Sequence, residues 1–256
     1  MMEMLELLCK HPARESREKV IRHFLDANDL RYELQIGQHS DGLPRNLIVT
    51  FNDNPTHRWI FGAHYDIDSK TLQGANDNSA AVIQLLQLAI DLGEEGYAGN
   101  LTICFWDLEE LTGSGVSQGA YCFAKSLLET TQDDGCAEFV LVLDVCGVGD
   151  TIGISRSLFN EQHAGRFEHL LRIYHHPYQC FETPLSDNEG LRRGGLKSVL
   201  AVVLPQEEIG EKPCPKTWAR LHSIEDDIEN IWPQTMQMMR GYLRTWLRTL
   251  EGFRTE

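Results

Sequence analysis

The chain has 256 residues, 42% of them apolar and 24% charged, which is enough to bury the core of one large α/β domain. Its formal charge of −15 argues against nucleic acid or anionic membrane as a partner and mildly favours a cationic ligand such as the free amine of a peptide. No apolar run reaches the roughly 18 to 20 residues that span a bilayer.

Met1 to Arg14 carries Glu3 and Glu6 where a secretory leader needs a basic start and an apolar centre. The seven cysteines are odd in number and none are spaced as Cys-x-x-Cys, a pattern of reduced thiols rather than of a disulfide framework or a thiolate metal site. A cytoplasmic location is expected.

In chain order, Glu15 to Leu30 has helical spacing (Val20, Ile21, Phe24, Leu25). Leu47 to Phe51 and Trp59 to Ala63 are apolar runs of strand length. Asn78 to Leu92 is apolar nearly all round, so a helix there must be covered on most sides. Leu101 to Trp106 predicts a strand, Gly119 to Leu128 a helix and Phe139 to Leu143 another strand. Leu158 to Tyr174 predicts a helix, Val199 to Leu204 a strand, and Ile228 to Leu250 a long amphipathic helix. Strands that are continuous apolar runs and alternate with helices predict one three-layer α/β/α domain over 1–256, with a mixed, largely parallel sheet.

Polar residues gather where these strands end. His64 and Asp66 follow one strand, Glu109 and Glu110 another, and Asp144 a third. In open α/β sheets the ligand crevice lies at the carboxyl ends of the strands, so these side chains are expected at one edge. Asp77, in Gly74-Ala75-Asn76-Asp77-Asn78, leads into the buried helix, and His222 stands in Leu221-His222-Ser223. Two imidazoles and three carboxylates suit zinc, with manganese or cobalt as substitutes.

The order His-x-Asp, Gly-x-x-Asp-Asn, Glu-Glu, Asp and a late His, from His64 to His222, resembles metallopeptidase family 28, the co-catalytic two-zinc aminopeptidases. The resemblance implies a zinc-exopeptidase fold with two Zn2+ per chain. It assigns His64 and Asp144 to one zinc, Glu110 and His222 to the other, and Asp77 as the bridge. Asp66 would accept a hydrogen bond from His64, and Glu109 would be the general base acting on a metal-bridging water. The peptide bond after Asp77 would be cis. The substrate would be a peptide or an aminoacyl amide, cut at its N-terminal bond.

The chain departs from the family pattern at Thr112, where Gly is usual. It has Ser186-Asp187-Asn188 where Ser-Asp-His is common, and Thr183 where some members place a pocket Tyr. Thr183, Ser186 and Asn188 are therefore expected in the substrate pocket. Arg192 and Arg193 would favour an acidic substrate unless they form a solvated basic turn. Glu207-Glu208 is a substitute for Glu109-Glu110, Asp68 competes with Asp66, and Asp226 is a second acid near His222. His175-His176, at a helix end, is expected to be structural, with a positive imidazole suiting the dipole.

Three rivals stand beside this assignment. Gly115-Val116-Ser117-Gln118-Gly119 matches the elbow of a serine hydrolase, although the elbow needs its serine directly after a strand and here Asp107 to Ser114 intervene. A glutaminyl cyclase would use the same fold with one zinc. A binding module would have no chemical reason to keep both sets of ligands and Glu109.

Overall fold

The computed structural model describes residues 1–38, 42–52, 58–110, 117–131, 137–155, 160–181, 186–211 and 214–252. Its strands are β1 (Glu33–Ile36), β2 (Arg45–Thr50), β3 (Arg58–His64), β4 (Leu101–Trp106), β5 (Ala137–Leu143), β6 (Thr151–Ser155), β7 (Tyr178–Phe181) and β8 (Val199–Leu204). They form one sheet in the order β1-β2-β4-β3-β5-β8-β6-β7. The centre, β4-β3-β5-β8, is parallel throughout. Antiparallel pairings join β1 to β2, β2 to β4, and β6 to β8.

The helices are α1 (Met2–Cys9), α2 (Arg14–Ala27), α3 (Ala80–Glu94), α4 (Gln118–Thr131), α5 (Glu161–Ile173), α6 (Asp187–Gly194) and α7 (Pro233–Gly252). Alternate strand residues feed two separate cores. Leu101, Ile103, Phe139, Leu141, Val199 and Ala201 pack with α1, α2, α3, α5 and α7. Cys104, Trp106, Val140, Val142, Leu200 and Val202 pack with α4 and α6. Both faces are thus covered, which is why the central strands carry no polar alternation. α3, apolar nearly all round, is buried on almost every side, as its composition requires.

Several elements were not foreseen. α1 buries Leu5, Leu8 and Cys9, and β1, β6 and β7 are short edge or near-edge strands. Asp187 begins a helix where a pocket loop was expected. The last helix starts at Pro233 rather than Ile228. Ile228–Asn230 is a separate tight turn, and proline suits the first helical turn because no N–H is needed there. His176 is not a charged cap. Its Nδ1 accepts from Trp246 Nε1 at 3.2 Å, its ring stacks on Tyr242, and burial pulls its pKa down. Among the described residues no helix is long and apolar enough to cross a membrane.

Candidate metal centre

The parallel register of β3 with β4 and β5 brings their exits to one edge. His64 pairs with Trp106 across β3 and β4, and Gly62 with Val142 across β3 and β5. Beyond these ends the chain turns sharply. Leu108, Val145 and His222, all beside or within the cluster, adopt left-handed φ angles of 58°, 51° and 54°, a conformation that is uncommon away from glycine and concentrates at functional sites. Asp77 lies in a distorted helical turn, Ala75–Ser79, that runs into α3. Gly74 opens this turn at φ +55°, and a Cβ there would stand 2.7 Å from the Asp77 carbonyl oxygen. The Asp77–Asn78 peptide is cis, as the resemblance implies.

Backbone-directed side chains hold these segments. The Asp66 carboxylate accepts the amide N–H of Glu109 and of Glu110, both at 3.0 Å. Asp66 also stands against His64, as the resemblance implies, chiefly through its backbone oxygen. His64 Nδ1 lies 3.2 Å from the Asp66 backbone oxygen and 3.6 Å from its carboxylate. Asp66 therefore anchors the Glu-Glu turn, while its own main chain orients the imidazole. The Asp226 carboxylate accepts the N–H groups of Asn76 and Asp77 at 2.7 and 3.1 Å. Asn78 Nδ2 donates to the Leu143 carbonyl oxygen at 2.9 Å, tying the turn to the end of β5.

Within this frame the side chains converge. His64 Nε2 stands 3.3 Å from Asp77 Oδ1 and 3.6 Å from Asp144 Oδ1. His222 Nε2 stands 3.2 Å from Asp77 Oδ2 and 3.2 Å from Glu110 Oε2. The two oxygens of Asp77 thus face different histidines. Two ligands at about 2.0–2.1 Å from a tetrahedral zinc stand roughly 3.4 Å apart, close to all four separations. His64 Nε2 and Asp144 Oδ1 are buried and form no hydrogen bond. Buried polar atoms are nearly always paired, so two such atoms facing one space fit a cation between them. Glu109 joins a further group with His64 and Glu110, and Asp68 one with Glu110 and His222.

Protonation tells the same story. Burial opposes charge on His64, yet Asp144, Asp66 and Asp77 outweigh it and hold its pKa well above the ordinary value. Hydrogen bonds to Asp77 and Glu110 push His222 up to about 11. Burial, reinforced by Asp77, raises Glu110 to about 7. Burial chiefly raises Glu109, well above a normal carboxyl. A cluster that draws protons onto both imidazoles is short of positive charge, which divalent cations supply.

Residues 46–247 match the family model of peptidase family M28. The chain belongs to that family. No curated protein matches it. Among solved structures, LapB from Legionella pneumophila is similar at 16% identity, with a TM-score of 0.76 over 97% of this chain and 70% of that one. A glutaminyl cyclase from Tannerella forsythia is 17% identical, with a TM-score of 0.73 over 95% and 94%. A leucine aminopeptidase precursor from Bacteroides thetaiotaomicron is 16% identical, with a TM-score of 0.71 over 95% and 92%. At such identities these likenesses show the fold alone.

M28 membership makes this chain a zinc-dependent metallopeptidase-family protein and gives the hollow beside Asp77 its significance. That cavity, of about 280 Å³, is bounded by Asp77, Glu109, Glu110, Asp144 and His222. It is also lined by Val145, Leu200, Val202, Cys214, Trp218 and Leu221. A larger hollow of about 420 Å³ lies along α5, and Glu138, the carboxylate among its described lining residues, is already ion-paired with Arg166 at 3.4 Å.

Of the residues expected in the substrate pocket, Ser186 and Asn188 stand at the start of α6. Ser186 and Asn188 are not among the described wall residues. Asn188 Oδ1 accepts the Ser186 N–H at 3.0 Å and closes the start of α6. Thr112 and Thr183 lie outside the described residues. Arg192 and Arg193 are both bound to Glu189 at 2.7 Å, a basic turn already satisfied. Glu208 is used by the Thr217 N–H at 2.8 Å rather than by the metal cluster. Ser117 donates its hydroxyl to Asp187, not to a histidine, and precedes a helix, so no serine-hydrolase triad forms around it. The apolar wall has no sequence signal, because the residues of β8 that face a cavity, Leu200 and Val202, have the same hydropathy as those that face the core. Asp226 reads in the sequence as a second acid near His222, and no local signal marks its hold on the Asp77 turn.

Proposed function

We propose that this protein is a metal-dependent aminopeptidase with two cation positions, zinc being the expected ion and manganese or cobalt substitutes. His64 and Asp144 form one position, Glu110 and His222 the other, and Asp77 serves both. The observation that carries this is the pair of contacts made by Asp77, one oxygen toward each histidine. Bound divalent cations supply a positive field that polarises a carbonyl group and makes nearby water more acidic.

Glu109 is the general base. Its backbone is fixed by Asp66, and its carboxylate shares a donor cluster with His64 and Glu110. A carboxylate at this place can take a proton from water and return it to the leaving amine. The apolar lining of Val145, Leu200, Val202, Trp218 and Leu221 suits an uncharged N-terminal side chain. The substrate is a peptide or aminoacyl amide with a free α-amine. Residues 1–256 act as one catalytic unit, since a single sheet carries β3, β4 and β5, whose ends present His64, Glu109, Glu110 and Asp144.

The likeness to the Tannerella cyclase over nearly all of both chains favours a second reaction, cyclisation of N-terminal glutamine. Five filled donor positions favour hydrolysis instead. Metal-loaded protein is offered aminoacyl amides with free and acetylated amines, and peptides beginning with glutamine, while bound metal is counted. Release of amino acid from the free amines only, with two ions per chain, is expected. Ammonia release from glutamine peptides with one ion per chain would replace peptidase by cyclase. Activity that survives removal of all metal would sink both.

A further inference from the structure

We propose that Arg17 is a positioning residue for the metal centre, its buried guanidinium tying the His64–Asp66 corner to the turn that carries Asp77. This rests on the metal-centre assignment above. Arg17 belongs to α2, outside residues 46–247 that match the family, and is fully buried. Its Nε donates to the carbonyl oxygen of Tyr65, the residue between His64 and Asp66. From the other side of the same plane, Nη2 donates to Ser79 Oγ at 2.7 Å and Nη1 to the Gln73 carbonyl oxygen at 3.3 Å. Nη1 also reaches the Leu8 carbonyl oxygen of α1 at 3.4 Å. Ser79 Oγ passes the connection on, donating to the Gly74 carbonyl oxygen at 2.5 Å. One planar group thus grips the exit of β3 and both ends of the segment 73–79.

All four acceptors are neutral oxygens. A guanidinium taken fully out of water is costly, and an apolar side chain of similar volume would avoid that cost while leaving these buried oxygens without a donor. What that side chain would not supply is a rigid fork of donors reaching two loops at once. Burial lowers the Arg17 pKa to about 10, so the group remains charged at neutral pH, and Asp66 and Asp226 act on it at longer range. The two segments it joins bear His64 and Asp77, whose facing atoms lie 3.3 Å apart. Small drifts of either segment open that gap. Lysine keeps the charge but has its donors at a single point, so it cannot span both segments.

Zinc affinity by chelator competition and the absorption spectrum of the cobalt(II)-loaded protein are measured for wild type, Arg17→Lys, Arg17→Met and Ser79→Ala. Thermal midpoints are taken for each with and without metal. Arg17→Lys and Arg17→Met are expected to weaken zinc binding by about tenfold or more and to alter the cobalt spectrum. The gap between metal-loaded and metal-free midpoints should narrow accordingly. Ser79→Ala, which removes one acceptor, should weaken zinc by about threefold. An equal fall of both midpoints in Arg17→Lys, with affinity and spectrum unchanged, would make Arg17 a packing brace and overturn the proposal. If the Arg17 variants do not fold, unchanged affinity and spectrum in Ser79→Ala overturns it. Wild-type protein that takes up no zinc would sink the metal-centre assignment itself, a result seen before any variant is compared.

Discussion

Asp77 and Asp91 are buried alike, at 6% and 4% exposure, yet the molecule treats their charges in opposite ways. Asp91, on α3, accepts from Arg240 at 2.8 and 2.7 Å, Arg244 at 3.1 Å and Gln87 at 2.9 Å. Arg244 also pairs with Glu95, so α3 and α7 are locked by a closed ion network. Among the described residues the ion-pair partners of Asp77 are imidazoles, and these include an orphaned buried atom, His64 Nε2. A guanidinium never releases its charge, whereas an imidazole gives up a proton and accepts a metal. Asp91 is therefore a permanent joint, and Asp77 is a place where the positive charge can be exchanged.

That contrast predicts a graded set of outcomes. Asp77→Ala should lose both ions together and reduce peptidase activity to background, since one carboxylate serves each position. Metal analysis checks this, and retention of a single ion would contradict the shared role. Glu109→Gln should fold and bind metal normally while losing about 10²- to 10⁴-fold in turnover, the range for a removed general base. Near-normal turnover there would unseat Glu109.

Asp91→Ala should do the reverse. It leaves zinc affinity unchanged and costs about 3 kcal/mol in chemical denaturation, the low end for a broken buried pair because Arg240 and Arg244 are partly exposed. Loss of zinc affinity in that variant would erase the distinction between the two aspartates.

The smallest effect concerns His163, buried against Phe139 with no hydrogen bond to either ring nitrogen. Burial, with Arg166 and Lys197 adding to it, lowers its pKa from 6.5 to about 4. A lowered histidine pKa means that the unfolded chain takes up the proton first, so stability present above pH 6.5 is lost as pH falls toward 4. The loss should reach about 2 kcal/mol by pH 5. His163→Leu should flatten this part of the pH–stability profile, as followed by denaturant titration.

Legibility differed by residue for physical reasons. His64, Asp66, Glu109, Glu110 and Asp144 stand out because each comes at or within a few residues of the end of an apolar strand, where open sheets form their ligand crevice. Their order along the chain added a pattern that single residues lack. Arg17 carried no such mark, since an arginine in an amphipathic helix reads as a solvated one. Asp68 reads in the sequence as a competitor of Asp66, whereas folding brings it to Glu110 and His222. α1, β1, β6 and β7 escaped notice because short segments have too few residues for a periodicity to emerge.

The amino-acid sequence by itself determined the buried parallel strands, the helix apolar on every side and the kinds of donor placed at the strand ends. Those properties follow from hydropathy and chemical type, which are local. Only the tertiary structure decided which oxygen of Asp77 meets which imidazole, that Asp66 serves the Glu109 and Glu110 amides, and which apolar residues face the cavity rather than the core. Such relations join residues far apart in the chain. They depend on strand register and helix packing, which no local pattern encodes.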